Sequence, residues 1–262
     1  MALPFLTLII MKRITITLLW VGVFTNCLFA QSRFERTIPF QRGKTLNIEF
    51  TYPEIIKVRV HDQDEIKVEG TVSINSGLFD ENFDLVVNSS GNNIDIYSTI
   101  RDKDKIPHRI TINVKGEKYI FMASGWDDPK IKEFMAEHDK SAINWMSNGL
   151  DIDIELTVTV PRSSDLNITS KFGTIEILGL PEQLVATSKH DGVDISIDPS
   201  SNYDFEIHTT FGEVYTNLDL ELERQDGLRP YKAQKLVAHL NGGGKKIVLE
   251  SKFGNVYLRK RQ

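Results

Sequence analysis

With 262 residues, 40% of them hydrophobic, the chain is long enough to bury a sizeable core. Its 31 Lys and Arg against 36 Asp and Glu give a formal charge of −5, which argues against a nucleic-acid partner, since that needs a clustered basic surface. A single Cys, Cys27, excludes an internal disulfide and a thiolate metal site.

Residues 1–10 are apolar without a positive charge, whereas Met11 opens a basic start (Lys12, Arg13), an apolar run from Ile14 to Phe24 and a small residue at Ala30. This order predicts a secretory signal peptide over 1–30, with the true start at Met11 and cleavage after Ala30. The run is short for a membrane span and is broken by Thr15, Thr17, Thr25 and Asn26, so no transmembrane span is expected in the mature chain. Cleavage would leave 29 basic and 36 acidic side chains, a charge of −7, and no Cys. The expected location is outside the cytoplasm: periplasm, outer cell surface or secreted.

From 31 to 126 the chain reads as short alternating strands with polar, Gly or Pro punctuation, an N-terminal β region. Leu85, Val87 and Ser89, then Ile94 and Ile96, follow the strand–corner–strand rule of the C-terminal half. Between 127 and 149 the β pattern breaks. Asp128 before Pro129 is a helix start, apolar residues at Ile131, Phe134, Met135, Ala142, Ile143 and Met146 fall near helical spacing, and Asn148-Gly149 is a stop. A helical insertion is expected there, one helix or two short ones, either covering an edge of the β structure or offering Trp126, Trp145, Phe134 and Met135 to a partner.

From 150 to 262 the chain repeats itself. TSKFGTIEI (169–177) recurs as SKHDGVDISI (188–197), TTFGEVYTN (209–217) and SKFGNVYL (251–258). Apolar residues alternate up to Ser170, Ser188, Thr209 and Ser251, and the next inward residue, Ile175, Val193, Val214 or Val256, comes five positions later with the parity flipped. A period-two pattern survives such a slip only if the backbone turns, so each copy reads as strand, corner, strand. Gly173, Gly212 and Gly254 share a column, with Asp191 in the second copy, and a left-handed corner conformation accounts for both residue types. A repeat of about 20 residues that cannot bury its own apolar face predicts stacking. The expected fold is all-β: a β-helix or β-roll-like solenoid of short stacked strands. The interval between Gly212 and Gly254 is twice the usual one, so a degenerate copy is expected between Leu218 and Lys246.

The signal peptide, the all-β chain, Val160-Pro161, the recurring Ser-Lys-Phe-Gly-x-Ile/Val motif and the closing NGGGKKIVLESKFGNVYL together resemble the bacterial putative-adhesin family of β-strand-repeat envelope proteins. The resemblance covers 151–258 well and the preceding region loosely. It implies a β-helix-like stack outside the cytoplasm, and it carries no catalytic residue.

Stacking places Phe172, His190, Phe211 and Phe253 in one corner column beside Lys171, Lys189 and Lys252. Such a ladder could hold sugar rings or a partner's strand, or simply cover the corner by ring stacking. Tyr215 and Tyr257 fall on outward positions of the following strand, as a glycan platform or as cross-strand packing. Asp151, Asp153 and Glu155 share an outer face and could ligate Ca²⁺ or act as an acid–base pair, or could form a solvated row. The six histidines lack metal-ligand spacing, and no nucleophile, phosphate-loop or dinucleotide motif occurs. Asn241 to Gly244 read as a tight turn between two strands.

No catalytic, metal or cofactor site is expected. The leading expectation is a non-enzymatic exported envelope protein, adhesin-like, presenting a rigid β edge to a glycan or an envelope protein. A carbohydrate-active enzyme and a self-associating scaffold are the alternatives, and fold alone does not decide among them.

Overall fold

The computed structural model describes residues 32–223 and 234–261. The expected signal peptide, with Cys27 and the cleavage site at Ala30, lies outside the described residues. In chain order the strands are β1 (Ser32–Pro39), β2 (Thr45–Phe50), β3 (Ile55–His61), β4 (Glu65–Ile74), β5 (Phe83–Ser90), β6 (Asn93–Ile100), β7 (His108–Val114) and β8 (Glu117–Ala123). Helix α1 (Pro129–Glu137) precedes β9 (Ile143–Gly149) and β10 (Ile152–Pro161). The remaining strands are β11 (Asp165–Ser170), β12 (Thr174–Ile177), β13 (Gln183–Ser188), β14 (Val193–Ile197), β15 (Tyr203–Thr209), β16 (Val214–Thr216), β17 (Glu221–Leu222), β18 (Gln234–Leu240), β19 (Lys245–Ser251) and β20 (Val256–Lys260).

The protein is predominantly β. A first sheet has the order β1-β4-β10-β3-β12-β14-β20-β16, a second β17-β18-β15-β19-β13-β11-β2-β6-β5, and a third β8-β7-β9. Five units, β2–β3, β11–β12, β13–β14, β19–β20 and β15–β16, each begin in the second sheet, turn through three or four residues and continue in the first. They lie in the same order in both sheets and pair in parallel register. Ile168 is level with Ile48 and Ala186, and Ile175 with Ile56 and Val193. Because the parity flips at the corner, the apolar residues on both sides of it point into one core. Leu166, Ile168, Ile175 and Ile177 are all essentially inaccessible, and burying each such side chain contributes about 1.5–3 kcal/mol.

Several expectations need correction. A uniform β-helix solenoid does not describe these sheets, which are open and mix parallel with antiparallel pairs: β1–β4, β4–β10, β5–β6 and β15–β18 are antiparallel. Nor do the units follow chain order, because β19–β20 lies between β13–β14 and β15–β16. The doubled interval before Gly254 therefore holds no further unit of this kind among the described residues. Instead β18 runs antiparallel along the far side of β15. Asn241–Gly244 then cross the start of β15 to reach β19 on its other side, so the turn joins strands that are not neighbours. Positive φ at Asn241, Gly242 and Gly243 makes the turn sharp, and a Cβ on Gly244 would meet the Asn202 carbonyl oxygen at 2.5 Å.

Up to Ile100 the N-terminal region is woven into the same two sheets rather than set before them, β7 and β8 going to the third, and β2–β3 is itself a strand–corner–strand unit beside β11–β12. Residues 83–100, by contrast, do not turn a corner between sheets. Gly91, at φ +54°, reverses the chain, and β5 and β6 pair antiparallel within the second sheet. The stretch 127–149 is helical only up to Ala142, with α1 followed by a single 3-10 turn at Lys140–Ala142. Asp128 caps α1 by accepting from the Lys130 amide, but Ile143–Gly149 pairs with β7 as a strand. A second, small core joins Ile110, Ile112 and Val114 of β7 to Ile131, Phe134 and Met135 of α1. Phe134 and Met135 are thus packed inward, while Trp126 and Trp145 stay exposed. No helix among the described residues is long and apolar enough to cross a membrane.

Candidate functional site: an aromatic corner ladder

Four of the five corners from the second sheet to the first begin at a buried hydroxyl, the β2–β3 corner beginning at Phe50 instead. Ser170, Ser188, Thr209 and Ser251 are all buried. Ser170 Oγ accepts from the Gly173 amide at 2.9 Å, and Ser188 Oγ accepts from the Asp191 amide at 3.2 Å while donating to the Gly173 carbonyl at 3.2 Å. Ser251 Oγ lies 3.0 Å from the Asp191 carbonyl oxygen and 2.6 Å from that of Gly254. The small side chains therefore satisfy corner backbone groups that burial would otherwise orphan. Thr209 departs from this pattern, because its Oγ1 is buried without a partner among the described residues.

The glycine column has a different cause from the one expected. Gly173, Gly212 and Gly254 do not adopt positive φ, and neither does Asp191. What they supply is room. A Cβ on Gly212 would lie 1.7 Å from the Gly254 carbonyl oxygen, one on Gly254 would lie 2.3 Å from the Asp191 carbonyl carbon, and one on Gly173 would lie 2.2 Å from the Pro53 carbonyl oxygen. Successive corners touch backbone to backbone.

This close stacking sets the rings that follow each hydroxyl in register. Phe172 and His190 stack at 5.1 Å between centroids, His190 and Phe253 at 5.3 Å, and Phe253 and Phe211 at 5.2 Å, the last pair within 4° of parallel. The order is Phe172, His190, Phe253, Phe211, which follows the sheets and not the chain. The rings are not thereby hidden: Phe172, Phe211 and Phe253 remain 52%, 51% and 45% exposed. Stacking contributes about 0.5–1.5 kcal/mol per pair, so the ladder steadies the corner and still presents an apolar ridge.

The flanking cations are placed unequally. Lys171 Nζ lies 5.1 Å from the Phe172 centroid and Lys252 Nζ 5.2 Å from that of Phe253, at cation–π range. Lys189 instead faces Glu49 at 3.8 Å. Tyr215 and Tyr257 stack at 5.3 Å on the first sheet, with Arg259 over Tyr257 at 4.9 Å. The Tyr215 hydroxyl donates to Glu213 at 2.5 Å, and that acceptor holds its phenol above the usual range.

Tyr52 escaped sequence reading. The β2–β3 corner carries Phe50 level with Ser170, so Tyr52 stands two residues on, as Phe172 does, with Lys103 Nζ 5.2 Å over its ring. The signal was available in Leu46, Ile48 and Phe50 followed by Ile56 and Val58, but this corner is one residue longer than that after Ser170.

The acidic row does not converge on one site. Asp151 pairs with Arg109, and Glu155 faces Lys57 at 3.7 Å. Among the described residues no group of three or more potential ligands could hold a metal ion.

No family model and no curated protein sequence matches the chain. Among solved structures, one of a putative cell adhesion protein from Clostridium sporogenes is similar at 8% identity. It covers 88% of this chain and 100% of its own, with a TM-score of 0.47. One of a putative adhesin from Bacteroides fragilis is similar at 10% identity, covering 88% of this chain and 98% of its own, with a TM-score of 0.21.

Proposed function

We propose that the protein is an exported, non-enzymatic binding protein of the cell envelope or surface, adhesin-like in role, which holds a glycan along the corner ladder. The five parallel units serve as a short, rigid β-roll segment whose purpose is to space the rings. The observation that carries this reading is the ladder itself: four rings in register at 5.1–5.3 Å, with the three Phe rings about half exposed and cations beside them. That period is close to the advance of one pyranose unit along an extended polysaccharide. Each ring can thus set its exposed rim against one sugar's apolar C–H surface, while Lys171 and Lys252 reach hydroxyls beside Phe172 and Phe253.

The histidines, the side chains best suited to acid–base work near neutral pH, are engaged structurally. His61 bonds the Glu65 carbonyl, His108 bonds Asn148, His138 bonds the Phe134 carbonyl, His190 sits in the ladder, and His208 and His239 bond Glu206 and Asp204.

The test is a glycan array and a titration of the best hit, run beside Phe211→Ala with Phe253→Ala. A folded double variant with affinity reduced at least about tenfold, the loss of one or two well-packed aromatic contacts, supports the reading. Unchanged affinity in a folded double variant removes the ladder from the function.

A further inference from the structure

The strands of the first sheet leave the ladder and end, at their carboxyl termini, in a groove of about 570 Å³. Three arginines line it: Arg59 on β3, Arg162 just after β10 and Arg261 just after β20. Because β10, β3, β12, β14 and β20 are successive neighbours, the arginines at the two ends are set on strands about 19 Å apart, four spacings of about 4.8 Å. Tyr203 and Leu180 add apolar surface. Gly179 lets the floor lie close, since a Cβ there would meet the Val60 side chain at 2.9 Å.

The arginines are held in place without being neutralised as a group. The Arg261 guanidinium donates to the Leu178 carbonyl at 2.5 Å and lies in the field of Asp198, without a direct ion pair to it among the described residues. Arg162 meets Asp62 at 3.2 Å in a pair exposed on both sides, and exposed pairs of this kind exchange readily with a better acceptor. Arg59 lies in the field of Glu69. Asp198 is the one carboxylate in the lining, and Ser200 engages it through both its amide and its hydroxyl, at 2.9 and 2.7 Å. A chain with formal charge −5 therefore gathers three guanidinium groups around one elongated cavity.

We infer that this groove is a second binding site, for an acidic oligosaccharide whose carboxylate or sulfate groups are taken by Arg59, Arg162 and Arg261. Guanidinium is the side chain suited to bidentate recognition of planar and tetrahedral oxyanions. Sparse positive charge over about 19 Å suits a chain carrying one anion every sugar or two. A nucleic acid fits less well, because the groove offers one ring, Tyr203, where a single strand needs successive stacking platforms, and the net charge of the protein opposes a dense polyphosphate. The inference does not depend on the ladder: it concerns the other end of the same strands and different side chains.

Calorimetric titration of the purified protein tests it, using oligogalacturonate, a sulfated oligosaccharide, a neutral oligosaccharide of equal length, inorganic phosphate and a single-stranded oligonucleotide. The expected result is binding of one or both acidic oligosaccharides, weakened at least about tenfold by Arg59→Ala with Arg162→Ala and by raised salt. The same affinity should survive Phe211→Ala with Phe253→Ala. Ser201→Glu, which brings a carboxylate to the groove while keeping every arginine, should also weaken binding, so a misfolded arginine variant does not decide the matter. Equal binding of the neutral oligosaccharide, no binding of either acidic one, tighter binding of the oligonucleotide, or affinity indifferent to Ser201→Glu would each overturn the inference. Phosphate binding alone, with neither acidic oligosaccharide bound, would mark an adventitious ion only and overturn it as well.

Discussion

The two ends of the strand–corner–strand units obey different rules. At the ladder end every crossing takes three or four residues, the corner backbones touch, and a hydroxyl, a ring and a small residue recur in fixed columns. At the groove end the connections are longer and differ in content: Leu178–Glu182 follows β12, Asp198–Asn202 follows β14, each five residues, and β16 is followed by β17 and β18 before β19 begins. A tight corner is held close to one pattern because each stacks directly on the next, and it departs most at the outer β2–β3 unit, where Phe50 replaces the hydroxyl. A loose one is free to vary, and varied loops can build a groove.

The largest test of that contrast is a pair of glycine substitutions. Gly254→Ala places a Cβ against the Asp191 backbone in the middle of the stack and should cost more than about 3 kcal/mol in chemical denaturation. Gly179→Ala meets a Val60 methyl at 2.9 Å and the Val60 backbone nitrogen at 3.1 Å, looser than the contacts at Gly254, and should cost about 1–2 kcal/mol. Equal costs would erase the distinction between the ends. Next, Ser188→Ala removes a buried hydroxyl that serves the Gly173 carbonyl and the Asp191 amide, and should destabilise by about 1–3 kcal/mol. Thr209→Val, at the last unit, removes a hydroxyl with no partner among the described residues. It should be neutral or stabilising by up to about 1 kcal/mol in the same measurement.

Much of the ladder end was legible because its chemistry is periodic. The parity flip between Ile168 and Ile175 gave the corner, and the Phe172, His190, Phe211, Phe253 column gave the ring stack. Sequence could not separate two reasons for glycine, left-handed backbone and close approach, since both select against Cβ. Nor could it order the units: β19 joins the sheets between β13 and β15, and nothing in Ile247 or Leu249 distinguishes one neighbour from another. Ile143 and Met146, three apart, imitated a helix in a stretch that pairs with β7. The groove left no local trace, because Arg59, Arg162 and Arg261 are about a hundred residues apart and meet only through the strand order.

The smallest expected effects lie at the outer units, in exposed charges. Lys235 first, then Lys246 and His208, holds the Glu206 carboxyl down to about 2. Its contribution to stability is therefore present above its ordinary value of 4.5 and is lost as pH falls toward about 2. Asp204 first, then Glu223, raises His239 above its ordinary 6.5, so its contribution is complete below that value and is lost as pH rises through the folded one. Thermal midpoints should be highest between about pH 5 and 6.5 and fall slightly on either side. Glu206→Gln should weaken the acid limb and leave the alkaline one, whereas His239→Gln should flatten the alkaline limb and, because His239 holds the Asp204 carboxyl down, also weaken the acid one.

The most direct measurement on the central claim is a set of side-chain NMR spectra recorded while the best neutral glycan from the array is titrated in. Ring signals of Phe172, His190, Phe253 and Phe211 should shift together along one binding curve, while Arg59 and Arg162 signals stay in place. Shifts that begin elsewhere and leave these four rings untouched would contradict it.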